Sequence, residues 1–181
     1  MIVIIIPAKG GSTRLPNKNM ALINGRPMLD YAIDYARTCS RADAIYVTTD
    51  ADAIADHAGE CGIEVIRRPE SLGGDTLMVD VLSHALGVIG NPEIDTVINV
   101  QVDHPDRDLA LDDVLDRYLT EGADLLNSTE ADGTKNGAHH IVSRRYLETG
   151  ESTKTVTVVD DCTNVHYQED LDRAAARLRA R

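Results

Sequence analysis

Residues Ile2 to Ile6 form an unbroken run of β-branched aliphatic side chains that stops at Pro7. Successive side chains of a strand point to opposite faces, so such a run needs apolar cover on both sides. It is too short to cross a membrane or to form the core of a secretion signal, and it reads as a buried first strand. Further β-forming runs at Ala44 to Thr48, Glu64 to Ile66, Thr96 to Val100 and Asp124 to Leu126 alternate with helical patterns. That alternation predicts an α/β fold with a mostly parallel sheet flanked by helices.

The helices are expected between the strands. Pro27 to Arg37 opens on a proline suited to a first turn and sets Leu29, Ala32, Ile33 and Ala36 on one stripe. Ala51 to Cys61 stops before Gly62, and Asp75 to Leu86 follows. Asp108 to Leu119 places Leu111, Val114, Leu115 and Leu119 on one side. Asn24-Gly25 marks a tight turn. Glu130 to Glu151 is rich in Gly, His and charge, after which Thr155 to Val159 is β-forming and Glu169 to Arg179 is a closing amphipathic helix. No repeat, low-complexity tract or linker divides the chain, so residues 1–181 are read as one domain. Phe and Trp are absent and Tyr numbers six, so the core has to be aliphatic.

The formal net charge is −12. A surface of that sign repels nucleic acid and anionic membranes, and neither is expected as a partner. The charge is uneven, however. Lys9, Arg14, Lys18 and Arg26 precede the first acidic residue, Asp30, and all 30 acidic residues lie from there onward. A local basic site in an acidic protein suits a small anionic ligand. Cys39, Cys61 and Cys162 are far apart and lack zinc or redox spacing, which favours buried structural thiols over a reactive one. With no apolar span or leader pattern, the expected location is the cytoplasm.

The basic residues stand in Pro7-Ala8-Lys9-Gly10-Gly11-Ser12-Thr13-Arg14-Leu15-Pro16-Asn17-Lys18-Asn19, directly after the first strand. Ligands of open parallel sheets sit at the carboxyl ends of strands, and glycines let backbone N–H groups approach phosphate oxygens. Lys9, Arg14 and Lys18 supply charge for a triphosphate, and Ser12 and Thr13 supply hydroxyl donors. The spacing matches neither the dinucleotide G-x-G-x-x-G loop nor the Walker loop. Asp103 follows the fourth strand, where it serves either as a divalent-metal ligand or as the cap of a turn before Pro105. Asp50 is compatible with a site role or with a helix start, and Arg67-Arg68 with base reading or with solvent.

The loop from Ile6 to Asn19 resembles the signature loop of the CMP-sugar synthetases, the acylneuraminate and 3-deoxy-manno-octulosonate cytidylyltransferases. Gly25-Arg26-Pro27-Met28-Leu29, Val47-Thr48-Thr49-Asp50, Arg68-Pro69-Glu70-Ser71-Leu72 with Asp75-Thr76, and Asn99 to Pro105 resemble later segments of that family in the same order. Val165 to Leu171 resembles its closing segment more weakly.

The resemblance implies a Rossmann-like domain of the nucleotide-diphospho-sugar transferase type, CTP as donor, Mg²⁺ as cofactor and an activated sugar acid as product. By the same likeness Lys18 and Arg14 are the catalytic candidates, with Lys18 stabilising charge on the transferred α-phosphate. Ala8, Lys9, Gly10, Gly11, Ser12, Asn19, Arg68 and Gln101 are the nucleotide-binding candidates, Arg68 reading the cytosine, and Asp103 is the metal ligand. Lys9 replaces the family's usual Arg and loses its bidentate fork.

The family's second metal aspartate corresponds here to His166, two residues after Asn164. Asp160 or Asp161 is then a substitute ligand, or His166 serves acceptor binding, general-base chemistry or structure. Residues 130–160 are short for the family's acceptor and dimerisation region. Within them Lys135, His139, His140, Arg144 and Arg145 are candidates for an acidic acceptor, and a homodimer is common in the family. Three function classes stay open: CMP transfer from CTP to an acidic acceptor, either a sialic or octulosonic sugar acid or a small phosphonate or phosphate; a nucleotide-binding regulator with weakened turnover; and a structural subunit.

Overall fold

The computed structural model describes residues 1–74 and 76–181. Its elements are β1 (Ile2–Pro7), β2 (Leu22–Ile23), β3 (Arg26–Pro27), α1 (Met28–Arg37), β4 (Ala44–Thr49), α2 (Asp52–Glu60) and β5 (Glu64–Arg67). After them come α3 (Met78–Ile89), β6 (Thr96–Asn99), α4 (Leu111–Thr120), β7 (Leu125–Thr129), β8 (Lys135–Ser143), α5 (Arg144–Thr149), β9 (Thr155–Val159) and α6 (Gln168–Arg179). Seven strands pair in the order β5-β4-β1-β6-β8-β7-β9. β1, β4, β5 and β6 run parallel, β9 runs parallel to β7, and β8 is antiparallel to both its neighbours.

The opening aliphatic run is apolar throughout because both faces of β1 are covered. Ile4 and Ile6 join one core with α1, α2, α4 and α6, and Val3 and Ile5 join another with α3 and α5. No aromatic side chain is needed at the centre, where Ile, Leu and Val interdigitate at full burial. Asn24 (φ 49°) and Gly25 (φ 82°) make the β2–β3 turn, both with the positive φ that a type I′ turn demands.

Three elements differ from expectation, and the short helix α5 (Arg144–Thr149) lies where none was expected. The helix placed at Asp75 begins at Met78, and Asp75 itself lies outside the described residues. The helix placed at Asp108 begins at Leu111, and the N–H groups of Asp108 and Leu109 ahead of it donate to the Asp160 carboxylate. On α4 it is Tyr118, at 3% exposure, that completes the buried stripe, while Leu119 is exposed at 42%. The third difference is β8, which occupies the segment read only as rich in Gly, His and charge. Its inward positions include Asn136 and His139, polar residues satisfied by Ser128, Asp160 and Tyr35, so no alternation of apolar and polar residues shows in the sequence. No described helix is long and apolar enough to cross a membrane.

Candidate functional site

The strand order reverses between β1 and β6: β1 leads outward to β4 and β5, and the chain then returns to β6 on the other side. Loops leaving the carboxyl ends of such a pair diverge and leave a crevice. Residues 8–19 leave β1, residues 100–110 leave β6, and between them lies a cleft of about 280 Å³. Its lining includes Lys9, Ser12, Arg14, Lys18, Asn19, Arg68, Gln101, Asp103 and His166.

The loop after β1 is held by its own backbone and by neighbours. Gly10 donates its N–H to Asp50 Oδ1 at 2.8 Å, and Asn19 Nδ2 donates to the Lys9 carbonyl at 2.8 Å. A Cβ at Gly10 would come within 2.7 Å of Ala51 Cβ, so glycine is required there by close packing. The expectation that the Gly10 N–H faces phosphate is therefore corrected, since Asp50 occupies it and acts as the brace of the loop. Ala8 is fully buried, with its N–H on the Thr48 carbonyl, and Gly11 is exposed. Lys9 reaches across to the Gly74 carbonyl at 2.8 Å. Arg14 is exposed and makes no ion pair among the described residues.

At the base of the cleft Lys18 Nζ lies 2.7 Å from Asp103 Oδ2 and 3.2 Å from the Val165 carbonyl. Val165 in turn donates its N–H to the Asp103 carbonyl at 2.9 Å, which ties three distant segments at one point. Burial pushes the Asp103 carboxyl up, but His104 and Lys18 outweigh it and hold the group well below the usual carboxylate range. Asp103 Oδ1 is buried without a hydrogen-bond partner and stands 3.2 Å from His104 Nδ1. Asp103 lines the cleft, and a carboxylate held ionised there fits the oxygen-donor chemistry of a hard divalent cation.

His166 lines the cleft beside this pair. Burial, then Lys18 and Arg14, lower its pKa and favour the neutral ring. Asp160 and Asp161 do not take the place of the missing aspartate. Asp160 is 2% exposed and accepts from Asp108, Leu109 and His139, and Asp161 accepts from the Ala131 N–H. Neither lines the cleft.

Arg68 and Arg67 separate cleanly. The Arg68 side chain is buried in the cleft wall, 3.7 Å from Asp50 Oδ1, with Nε and one terminal nitrogen lacking hydrogen-bond partners. Arg67 is exposed and bonds the Ala51 carbonyl and Asp52. Arg107, which the sequence did not single out, is the buried organiser of the β6 loop. Its guanidinium donates to the carbonyls of Ala138, His104 and Gln101 and stacks 4.9 Å above the Tyr35 ring. Asp106, fully buried, accepts from Thr163 N–H and Oγ1 at 2.8 Å. The only hint of these roles in the sequence is the density of charge from Asp103 to Asp108.

The acceptor candidates on β8 divide by face and by pole. His139 is 3% exposed, with Nε2 2.7 Å from Asp160 Oδ2, and packs behind the sheet, so its acceptor role is corrected to a structural one. His140 points the other way, into a cavity of about 190 Å³ shared with Lys135, Asn127, Gln101 and Met78, the last two of which also line the cleft. Arg144 lies at the far end of antiparallel β8, where it donates to the Ile94 and Asn91 carbonyls, and Arg145 pairs with Asp124. Both are removed from the acceptor set, because the strand that brings Lys135 toward the cleft carries Arg144 away from it.

Over 105 residues the chain is 36% identical to an 8-amino-3,8-dideoxy-manno-octulosonate cytidylyltransferase of Shewanella frigidimarina, covering 58% of this chain and 41% of that one. Over 142 residues it is 33% identical to the enzyme of the same name from Shewanella baltica, covering 72% and 56%. The matches thus span about half the length of these relatives. The solved structure of CMP:2-keto-3-deoxy-manno-octonic acid synthetase complexed with CTP superposes with a TM-score of 0.78 at 17% identity, over 99% of this chain and 98% of that one. The cytidylyltransferase family profile matches residues 3–177, which takes in the basic loop, the β6 loop and the closing helix alike, and the chain belongs to that family.

Proposed function

We propose that this chain transfers CMP from CTP to an acidic small-molecule acceptor, a sugar acid of the octulosonic or sialic type, and releases pyrophosphate. The observation that carries this reading is the Lys18–Asp103 pair at 2.7 Å on the floor of a basic cleft, with Asp103 Oδ1 unpartnered beside it. An acceptor oxygen attacks the α-phosphorus, the bond to the bridging β-phosphate oxygen breaks, and the protein's task is to position groups and neutralise charge. Asp103 is the residue that would hold Mg²⁺, and a cation there would neutralise the phosphates and orient the acceptor. Lys18, released from Asp103, would stabilise charge on the α-phosphate, while Lys9, Arg14 and Ser12, which also line the cleft, would bind the β- and γ-phosphates. The unused donors of Arg68 suit the acceptor edge of a cytosine. Gln101, His140 and Lys135, which share a neighbouring cavity, would bind an acidic acceptor.

The test is pyrophosphate release with Mg²⁺, each of the four nucleoside triphosphates and a panel of sugar acids, phosphonates and phosphates. Turnover with CTP and a sugar acid is the expected result. Turnover only with a small phosphonate or phosphate moves the acceptor class, and tight CTP binding with silence across the panel replaces the enzyme with a nucleotide-binding regulator.

A further inference from the structure

Away from the cleft, three donor atoms of different kinds converge where α1 faces the end of α2. Asp30 stands in the first turn of α1, and His57 and Cys61 lie one helical turn apart at the end of α2, hence on one face. His57 Nε2 is 2.6 Å from Asp30 Oδ1 and 3.8 Å from Cys61 Sγ, and the three donor atoms fall within 4.8 Å of one another. We propose that Asp30, His57 and Cys61 form a binding site for Zn²⁺ or a similar borderline-soft divalent transition ion. None of the three lines the cleft, and the proposal stands independently of the reaction assigned above.

The donor set decides the class of ion. An imidazole nitrogen, a thiolate and a carboxylate oxygen together suit zinc, whereas Mg²⁺ and Ca²⁺ prefer oxygen alone. Metal–ligand bonds of about 2.0–2.3 Å in tetrahedral geometry set neighbouring ligands about 3–4 Å apart. The present nitrogen–sulfur separation already lies in that range. The nitrogen–oxygen separation opens by less than about 1 Å as the hydrogen bond to Asp30 gives way to ligation by the neutral ring in its Nδ1–H tautomer, a proton on Nε2 passing to Nδ1 through solvent. A plain His57–Asp30 hydrogen bond accounts for two of the residues and leaves the sulfur without a role.

The surroundings supply charge and room. Asp34 and Glu60 add to the negative field of Asp30 at Cys61, opposed there by Arg37, and Arg26 stands 3.9 Å from Asp30. Burial first and these carboxylates next hold Cys61 as a neutral thiol. On coordination the thiol proton leaves to solvent, and thiolate, carboxylate and dication sum to a neutral site. The side chains of Asp30 and His57 are 18% and 22% exposed, which leaves water access to a fourth position. Arg37 fixes the end of α2 by donating to the Cys61 carbonyl at 2.5 Å. The bound ion would staple α1 to α2.

The experiment uses the full chain, freed of metal by chelation, with Co²⁺ as a spectroscopic probe and Zn²⁺ as competitor. The expected result is a thiolate-to-cobalt charge-transfer band that saturates at one equivalent, survives excess Mg²⁺, is displaced by Zn²⁺ and is lost in Cys61→Ser. A second measurement needs no variant: alkylation of Cys61 in the native chain, read by peptide mass, slows about 100-fold when free Zn²⁺ is about 100-fold above its Kd, and a chelator restores it. The proposal is overturned by absence of the band, by its persistence in Cys61→Ser, or by an alkylation rate that ignores zinc.

Discussion

Lys18 and Asp103 neutralise each other in a cleft where either charge alone is costly. Lys18→Ala removes the ammonium proposed for the α-phosphate and leaves the Asp103 carboxylate without its salt-bridge partner. A fall in kcat of about 10²–10³ is expected, the scale seen when one transition-state charge stabiliser is lost. Steady-state turnover near the native value in that variant would end the assignment. Gly10 makes a separate demand, since its missing Cβ is what admits Ala51. Gly10→Ala should cost about 1–3 kcal/mol by overpacking, and Ala51→Gly added to it should restore most of the loss. Urea denaturation of the single and double variants reads this out, and equal destabilisation in both would show that the clash is not the cause.

Among the elements, β1 and its basic loop were the most legible in the sequence, because an aliphatic run covered on both faces has few other homes. The parallel strands and five of the helices followed from periodicity, with the starts of α3 and α4 three residues later than expected. β8 was hidden because its buried positions carry Asn136 and His139, whose polar partners come from strands and loops far away in sequence. The same non-local pairing concealed Arg107, whose three carbonyl partners are contributed by the loop after β6 and by β8. The basic cleft residues could be named from the sequence, but that Arg144 lies away from the cleft depends on strand direction, which composition does not encode. Arg107→Met should destabilise the protein by about 3 kcal/mol or more, since it strands three buried carbonyls. A lowered urea midpoint at unchanged m is the expected signature, together with weakened CTP binding as the Gln101–His104 loop loosens.

For the molecule as a whole, pH and ligand reveal how much these buried groups matter. Burial lowers the His140 pKa to about 4. An unfolded histidine titrates near 6.5, so on acidification the unfolded chain takes up its proton first. Stability is therefore full above about pH 6.5, falls as pH drops toward 4, and from this residue loses nothing further below that. His139 and His166, also shifted down, act in the same direction. His140→Gln should flatten the slope of unfolding free energy against pH in that window, and an unaltered slope would show that the ring is not buried uncharged. CTP with Mg²⁺ at about 100 times Kd should add about 2.7 kcal/mol to stability, measurable as a thermal shift absent in Asp103→Asn.

The lone reversed strand also bears on how such a protein diversifies. With the stem of the β7–β8 hairpin locked between β6 and β9, residues between Thr129 and Lys135 form a tip beyond the last rung of the ladder, near the mouth of the cavity that Lys135 lines. Residues added to that tip cost little loop-closure entropy and shift no strand in register. The surroundings of that cavity can thus be remodelled by tailoring one turn, leaving the loops that follow β1 and β6 untouched.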